Sequence, residues 1–214
     1  MRLFGYWRSS SSWRVRIGLA IKGVDYEYEA VHLVEEGGKQ HAPEYRAHNP
    51  MRQVPLLEWE EDGEIKRLSQ SLAILGFLEE RFPGPSLLPG SAYDRGRIRQ
   101  LAEVVNSGIQ PLQNLAVIQR LRDEMDQDAK EWCAYWIRRG LVAYDAMVLG
   151  EEGSFSIGDT PTLADACLIP QLYNARRFDV KLDDLERLLA IEETCFSHQA
   201  FQVSHPDEQP DAAG

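Results

Sequence analysis

The pattern of hydrophobic and polar positions changes character partway along this chain. Over residues 2–6 and 26–32 apolar and polar side chains alternate closely enough for strands. Between them, over 13–22, apolar residues recur at Trp13, Ile17, Ala20 and Ile21, the spacing of one helix face. Val15, Gly18 and Leu19 add apolar character to the other faces, so this helix is expected to be deeply buried. Residues 55–60 and 64–68 flank Glu61-Asp62-Gly63, a hairpin signal, and a helix follows over 70–81. The predicted order is β-α-β, a loop, then β-β-α.

A strand–helix–strand unit favours parallel pairing with a right-handed crossover, and the hairpin adds an antiparallel edge. That is the thioredoxin-like plan. The run from Phe82 to Gly90 is crowded with Pro and Gly and reads as a linker. Beyond it strand signals vanish, and residues 93–122, 128–149, 162–177 and 183–193 all carry helical patterns. The fold class is therefore α+β: a thioredoxin-like domain over 1–82, a linker over 83–91 and an all-α domain over 92–214. The polar tail from Ser204, with Pro206 and Pro210, is expected to be an ordered or frayed arm without a fold of its own.

Charge and cysteine usage narrow the function. A formal net charge of -11 over 214 residues argues against nucleic acid or an anionic membrane surface as partner. An anionic substrate would need a local cluster of arginines to overcome that field. Cys133, Cys167 and Cys195 have neither metal-ligand nor redox-motif spacing, so buried thiols, no metal and a reducing compartment are expected. No uncharged run approaches the roughly 18 residues of a membrane span, which points to a cytoplasmic protein.

Three stretches offer chemistry. Ser9-Ser10-Ser11-Ser12 lies between a strand and a buried helix. It reads either as a plain N-cap or as an anion site made of hydroxyls and unpaired helix N–H groups. Asn49-Pro50-Met51-Arg52-Gln53-Val54-Pro55 places a proline directly before a strand. That is ordinary at a strand start, but a cis Val54–Pro55 bond would leave the Val54 main chain facing outward for an extended peptide. Gln70-Ser71 opens a helix, as a cap or as a carboxylate holder. Thiol, peptide backbone and carboxylate together describe glutathione. Thr162 with Asp165 three residues on reads instead as a structural capping box.

Ser-Ser-x-Ser-Trp-Arg-Val-Arg-Ile, Asn-Pro-Met-x-Gln-Val-Pro, Gln-Ser-x-Ala-Ile, Leu-Leu-Pro, Ile-Gln-Pro-Leu-Gln-Asn, Ala-Arg-Arg-Phe-Asp-Val and Ala-Phe-Gln-Val-Ser-His-Pro span essentially the whole chain. Together they resemble the zeta-class glutathione transferases. The resemblance implies a homodimer of glutathione transferase architecture with glutathione as cofactor. It implies that Ser9 donates to the glutathione thiolate with Ser10 and Ser11 beside it. Gln40, Val54, Gln70 and Ser71 would hold the tripeptide, Arg14 would approach it, and Gln110 and Asn114 would contact it from the second domain. Arg8 and Arg177, with Arg176 as a second candidate, are expected to bind substrate carboxylates.

The implied reaction is cis–trans isomerisation of a small dicarboxylic diketo acid, maleylacetoacetate to fumarylacetoacetate, by thiolate addition, rotation and elimination. Maleylpyruvate or small α-halo acids are alternative substrates, and a catalytically silent interaction domain is the non-enzymatic alternative. Many eukaryotic members have cysteine where this chain has Ser11. With no cysteine in the first domain, reactions that consume a protein thiol are disfavoured, while isomerisation needs only the cofactor's.

Overall fold

The computed structural model describes residues 1–212. They form two compact units, Leu87–His198 and a unit made of Met1–Ser86 with the described part of Gln199–Gly214.

The first unit is built on a four-stranded sheet: β1 (Arg2–Gly5), β2 (Glu27–Ala30), β3 (Leu56–Glu61) and β4 (Glu64–Ser69), in the order β2-β1-β3-β4. β1 runs parallel to β2 with Leu3 opposite Tyr28, and antiparallel to β3 with Leu3 opposite Leu57. β3 and β4 form the hairpin around Asp62 and Gly63, both at positive φ. The β1–β2 crossover is α1 (Ser10–Lys22), of which all but Ser11 and Ala20 is buried. It packs on α3 (Ser71–Arg81), and Gly18 permits the approach: a Cβ there would sit 2.2 Å from a Leu75 methyl. A short α2 (Pro43–His48), absent from the pattern analysis, begins on a proline that its first turn tolerates.

Of the two forms expected for the tail, the ordered one is found. Residues after His198 belong to the sheet unit, with α9 (Gln199–Val203) packed on α1 and a 3-10 turn over Pro206–Glu208. The reason is burial: Phe201, Ser204, Pro206 and Gln209 are all shielded from solvent, and the Trp13 ring meets His205 edge-on. The predicted domain over 92–214 therefore ends near His198 in its packing. Among the side chains buried in α1 is Arg16, whose Nε donates to the Ser204 carbonyl at 3.0 Å. Burial pushes its guanidinium below the ordinary arginine value, opposed by Tyr28, Tyr26 and Asp211.

The second unit is helical: α4 (Ala92–Asn106), α5 (Leu115–Asp123), α6 (Ala129–Val148), α7 (Leu163–Arg177) and α8 (Glu186–Ser197). The helix expected over 93–122, with a kink at Pro111, is interrupted rather than bent. Gly108 lies against the Val104 carbonyl where a Cβ would sit 2.6 Å away, and Pro111 opens a 3-10 turn at Gln110–Gln113. Asn114 then caps a new helix through Ala116 N–H at 3.1 Å. No helix of the described residues is long and apolar enough to cross a membrane.

The Thr162–Asp165 capping box forms as expected. One Asp165 oxygen accepts from the Thr162 N–H and hydroxyl, each at 2.8 Å, and the other from Ser156 N–H at 2.8 Å. All three donors are buried. Burial raises the Asp165 pKa and these hydrogen bonds oppose the shift. Asp165→Ala strands the three donors at once and is expected to cost at least about 3 kcal/mol, read as a lowered urea midpoint. A loss under about 1 kcal/mol, the scale of one ordinary hydrogen bond, would remove the box as an anchor of α7.

Candidate active site

The serine run opens α1 through a closed set of hydrogen bonds. Ser9 is the N-cap, and its hydroxyl oxygen accepts from Ser12 N–H at 3.2 Å. Ser9 N–H bonds the Tyr6 carbonyl at 2.9 Å, and Ser12 Oγ accepts from Tyr6 N–H at 3.4 Å. Each of these two hydroxyls accepts through a lone pair and keeps its proton, but Ser12 is fully buried behind the turn, whereas Ser9 is half-buried and can donate to a ligand. Ser10 and Ser11 occupy the first helical positions, where backbone N–H groups have no intrahelical acceptor. One hydroxyl donor and two N–H groups at the positive end of a helix suit a thiolate.

Arg14 ties this helix entry to the next. Its side chain is fully buried, and Nη1 donates to the Ser71 hydroxyl at 3.3 Å. Ser71 is the first residue of α3, so one guanidinium spans the N-terminal turns of two helices. Gln70 precedes it at φ 74°, a left-handed conformation that costs a non-glycine residue on the order of 1–3 kcal/mol. Its side chain does not cap the helix; its amide reaches Gln53 Oε1 at 3.5 Å. A strained backbone with an exposed amide is a common signature of a binding position.

The Val54–Pro55 bond is cis, and the Val54 main chain makes no hydrogen bond with any described residue. The loop before it is held by Tyr45 Oη and Asn49 Nδ2, which donate to the Gln53 carbonyl at 2.6 and 2.7 Å. Gln40, in the 3-10 turn Lys39–His41, is buried with Nε2 on the Leu33 carbonyl at 3.1 Å and Oε1 without a partner. A buried acceptor lacking a donor is costly unless a ligand supplies one.

Of the three candidate arginines, Arg8 is half-buried, stacks over the Trp7 ring at 5.2 Å and has no carboxylate partner among the described residues. Arg176 is committed: both its terminal nitrogens bond Glu192, at 2.6 and 2.5 Å, which raises its pKa. The pair engages the two terminal nitrogens and leaves the Nε–H edge open. Arg177 is exposed, with Nη1 on Asn174 Oδ1 at 3.0 Å and its guanidinium over Phe178 at 5.9 Å. Gln110 is half-buried in its 3-10 turn, and the half-buried Asn114 uses only Oδ1 for capping, leaving its amide N–H groups.

Sequence reasoning missed how the turn before α1 is held from behind. Trp7 N–H donates to Asp211 Oδ2 at 2.9 Å, and the Trp7 carbonyl accepts from Arg16 Nη2 at 2.9 Å. The tail motif was visible in the sequence, but nothing local marked Asp211. Among the described residues no cluster of His, Cys, Asp and Glu could hold a metal ion.

The glutathione S-transferase N-terminal domain model matches residues 8–81. Over 209 residues the chain is 43% identical to a probable maleylacetoacetate isomerase 2 of Drosophila melanogaster, covering 98% of this chain and 89% of that one. A crystal structure of maleylacetoacetate isomerase from Anaeromyxobacter dehalogenans 2CP-1 with glutathione in its active site superposes with a TM-score of 0.91 at 52% identity, covering 99% and 97% of the two chains. A second structure of that enzyme, holding dicarboxyethyl glutathione and citrate, gives 0.89 at 50% identity, with 99% and 96% covered. A bacterial maleylpyruvate isomerase of the zeta class gives 0.92 at 41% identity, with 99% of each chain covered. With full-length identity at this level, the chain belongs to the zeta-class glutathione transferase family, alongside the maleylacetoacetate and maleylpyruvate isomerases.

Proposed function

We propose that this protein is a glutathione-dependent cis–trans isomerase that converts maleylacetoacetate to fumarylacetoacetate. The observation that carries the reading is the entry to α1, where the Ser9 hydroxyl keeps a proton beside two unbonded helix N–H groups. Three further features fit glutathione: the unengaged Val54 main chain, the unpartnered Gln40 oxygen and the strained Gln70 before Ser71. Bound there, glutathione supplies a thiolate that adds to the cis double bond and leaves again after rotation, so it is regenerated each turnover.

The residues of this chain do the rest. A free thiol of pKa ~8.5 is only a few per cent ionised at neutral pH. Making the thiolate dominant requires lowering that value by about two units, roughly 2.7 kcal/mol. A Ser9 hydrogen bond to a charged acceptor contributes about 1.5–3 kcal/mol. The helix N-terminus adds up to ~2 kcal/mol. Val54 offers strand-like pairing to the tripeptide backbone, and Gln70 and Ser71 hold a carboxylate at a second helix N-terminus. Gln110 and Asn114 are retained as further glutathione contacts. Arg8 and Arg177 bind the substrate carboxylates and offset the negative charge that develops on its carbonyl oxygen. Arg176, paired with Glu192, stays the second candidate for that role.

The finer parts of this reading are a cytoplasmic location, a homodimer and a place in aromatic amino-acid catabolism. The three cysteines are buried thiols outside any disulfide, which suits a reducing compartment. Maleylpyruvate is the second substrate to consider, because a maleylpyruvate isomerase matches over as much of the chain.

Assaying the purified protein with glutathione on maleylacetoacetate and maleylpyruvate side by side tests the reading. The higher kcat/KM is expected on maleylacetoacetate; a preference for maleylpyruvate would reassign the substrate, and no turnover of either would remove the function. Ser9→Ala is expected to raise the thiol pKa of bound glutathione by one unit or more, about 1.4 kcal/mol, seen as lost thiolate absorbance near neutral pH. An unchanged absorbance would transfer the role to Ser10 or Ser11. Arg177→Ala is expected to raise KM for the diketo acid about tenfold while leaving that for glutathione nearly unchanged, as loss of one charged hydrogen bond implies. Arg176→Ala should instead lower thermal stability with little effect on either KM; the reverse pattern would exchange the two arginines.

A further inference from the structure

The turn that carries Arg8 and Ser9 is short and has a single internal backbone bond, Ser9 N–H to the Tyr6 carbonyl. Its remaining peptide groups need partners, and the C-terminal arm provides them. Asp211 Oδ2 accepts from Trp7 N–H at 2.9 Å and from the Tyr28 hydroxyl at 3.2 Å. The Trp7 carbonyl takes Arg16 Nη2 at 2.9 Å, and Arg16 Nε is fixed on the Ser204 carbonyl at 3.0 Å. The Trp13 indole N–H reaches Ser204 Oγ at 3.1 Å. Both backbone groups of Trp7, two residues before Ser9, are therefore held by side chains that are themselves anchored in or by the arm.

We propose that Asp211 of the C-terminal arm, acting with Arg16, is a positioning residue for thiolate activation: Asp211 holds the Tyr6–Trp7 peptide and Arg16 the Trp7–Arg8 peptide, and together they fix where the Ser9 hydroxyl and Arg8 point. The charges fit the role. Arg16 is fully buried, its hydrogen bonds go to two carbonyls, and its Nη1 has no partner. The Asp211 carboxylate faces the same interior, with Oδ1 shielded from solvent and unpartnered. The Trp7 N–H belongs to the Tyr6–Trp7 peptide and the Trp7 carbonyl to the Trp7–Arg8 peptide, so the anion and the cation each polarise one of two successive peptide units in the direction that strengthens its own bond. A hydroxyl donor is effective only within a few tenths of an ångström of its optimal separation from the acceptor, so the clamp need move the turn only slightly to matter.

The inference rests on the reading of Ser9 as the thiolate donor, and its test separates the two. The ultraviolet thiolate signal of bound glutathione is titrated against pH in the full chain and in Asp211→Ala, Tyr28→Phe and Ser204→Ala, with melting temperatures measured alongside. Asp211→Ala is expected to raise the bound thiol's pKa by about one unit, a tenfold loss of activation. Its kcat near neutral pH should fall and recover at higher pH, while KM for glutathione changes less than threefold. Tyr28→Phe, which removes one of the two bonds that seat the carboxylate, should shift the pKa in the same direction by less. Ser204→Ala loses the Trp13 contact but keeps the carbonyl that seats Arg16, so it should lower the melting temperature without moving the thiol pKa. If Asp211→Ala does not fold, Tyr28→Phe decides: a raised pKa supports the clamp, and an unchanged one overturns it. Unmoved titrations in both, with only the melting temperature lowered, make the arm purely structural. A normal thiol pKa in the unmodified protein would remove the Ser9 reading together with this one.

Discussion

The ring of hydrogen bonds from Tyr6 to Ser12 is the constraint on which the site depends. Tyr6 N–H goes to Ser12 Oγ, Ser9 N–H to the Tyr6 carbonyl, and Ser12 N–H to Ser9 Oγ. This ring turns the chain from β1 into α1 within a few residues and consumes the polar groups that would otherwise be stranded. It leaves over the Ser9 proton and the first helix N–H groups. What remains after the local fold is satisfied is what a ligand can use. Four serines suffice because the roles are divided among them. Ser12 completes the turn, Ser9 caps the helix, and Ser10 and Ser11 open it with backbone amides.

Helix α1 can hold that arrangement because it is buried on nearly every face. Two of its buried residues are arginines, which would be a heavy desolvation cost without compensation. Each is used to join distant parts of the unit. Arg14 reaches Ser71 and couples the two helix entries, while Arg16 reaches Ser204 and Trp7 and couples the arm to the turn. The apolar residues between them, Val15 and Ile17, fill the core, so packing and polar alignment are set by one thirteen-residue helix.

The parts of this structure written into local sequence were legible from it. The alternation at residues 2–6, the hairpin around Asp62-Gly63 and the Thr162–Asp165 box depend on neighbours a few residues apart. The serine run announced a helix entry for the same reason. What escaped depends on partners remote in sequence: Trp13 meets Ser204 across 191 residues and Trp7 meets Asp211 across 204. No periodicity in a polar, proline-bearing tail signals such a contact. The commitment of Arg176 to Glu192 was hidden likewise, because two adjacent arginines look equivalent until the facing helix is known. The break after α4 lay in residues already in view, Gly108 and Pro111, whose combined effect outweighed the apolar pattern running through them.

The chain's own thiols explain why the reaction must borrow one. Cys133, Cys167 and Cys195 are all buried in the helical unit. Burial pushes the Cys133 thiol up to about 11 and raises Cys195 further, with the Asp165 and Glu192 charges adding to the effect. A thiol in that range is essentially un-ionised at neutral pH and inert as a nucleophile. The entry to α1, by contrast, gathers donors suited to a thiolate but holds only serine, including at Ser11. The protein therefore separates two functions that many thiol enzymes combine: it keeps the electrostatics that ionise sulfur and leaves the sulfur itself to an exchangeable ligand. A reaction in which the nucleophile departs unchanged suits that division, because nothing on the protein needs to be reduced or regenerated before the next turnover.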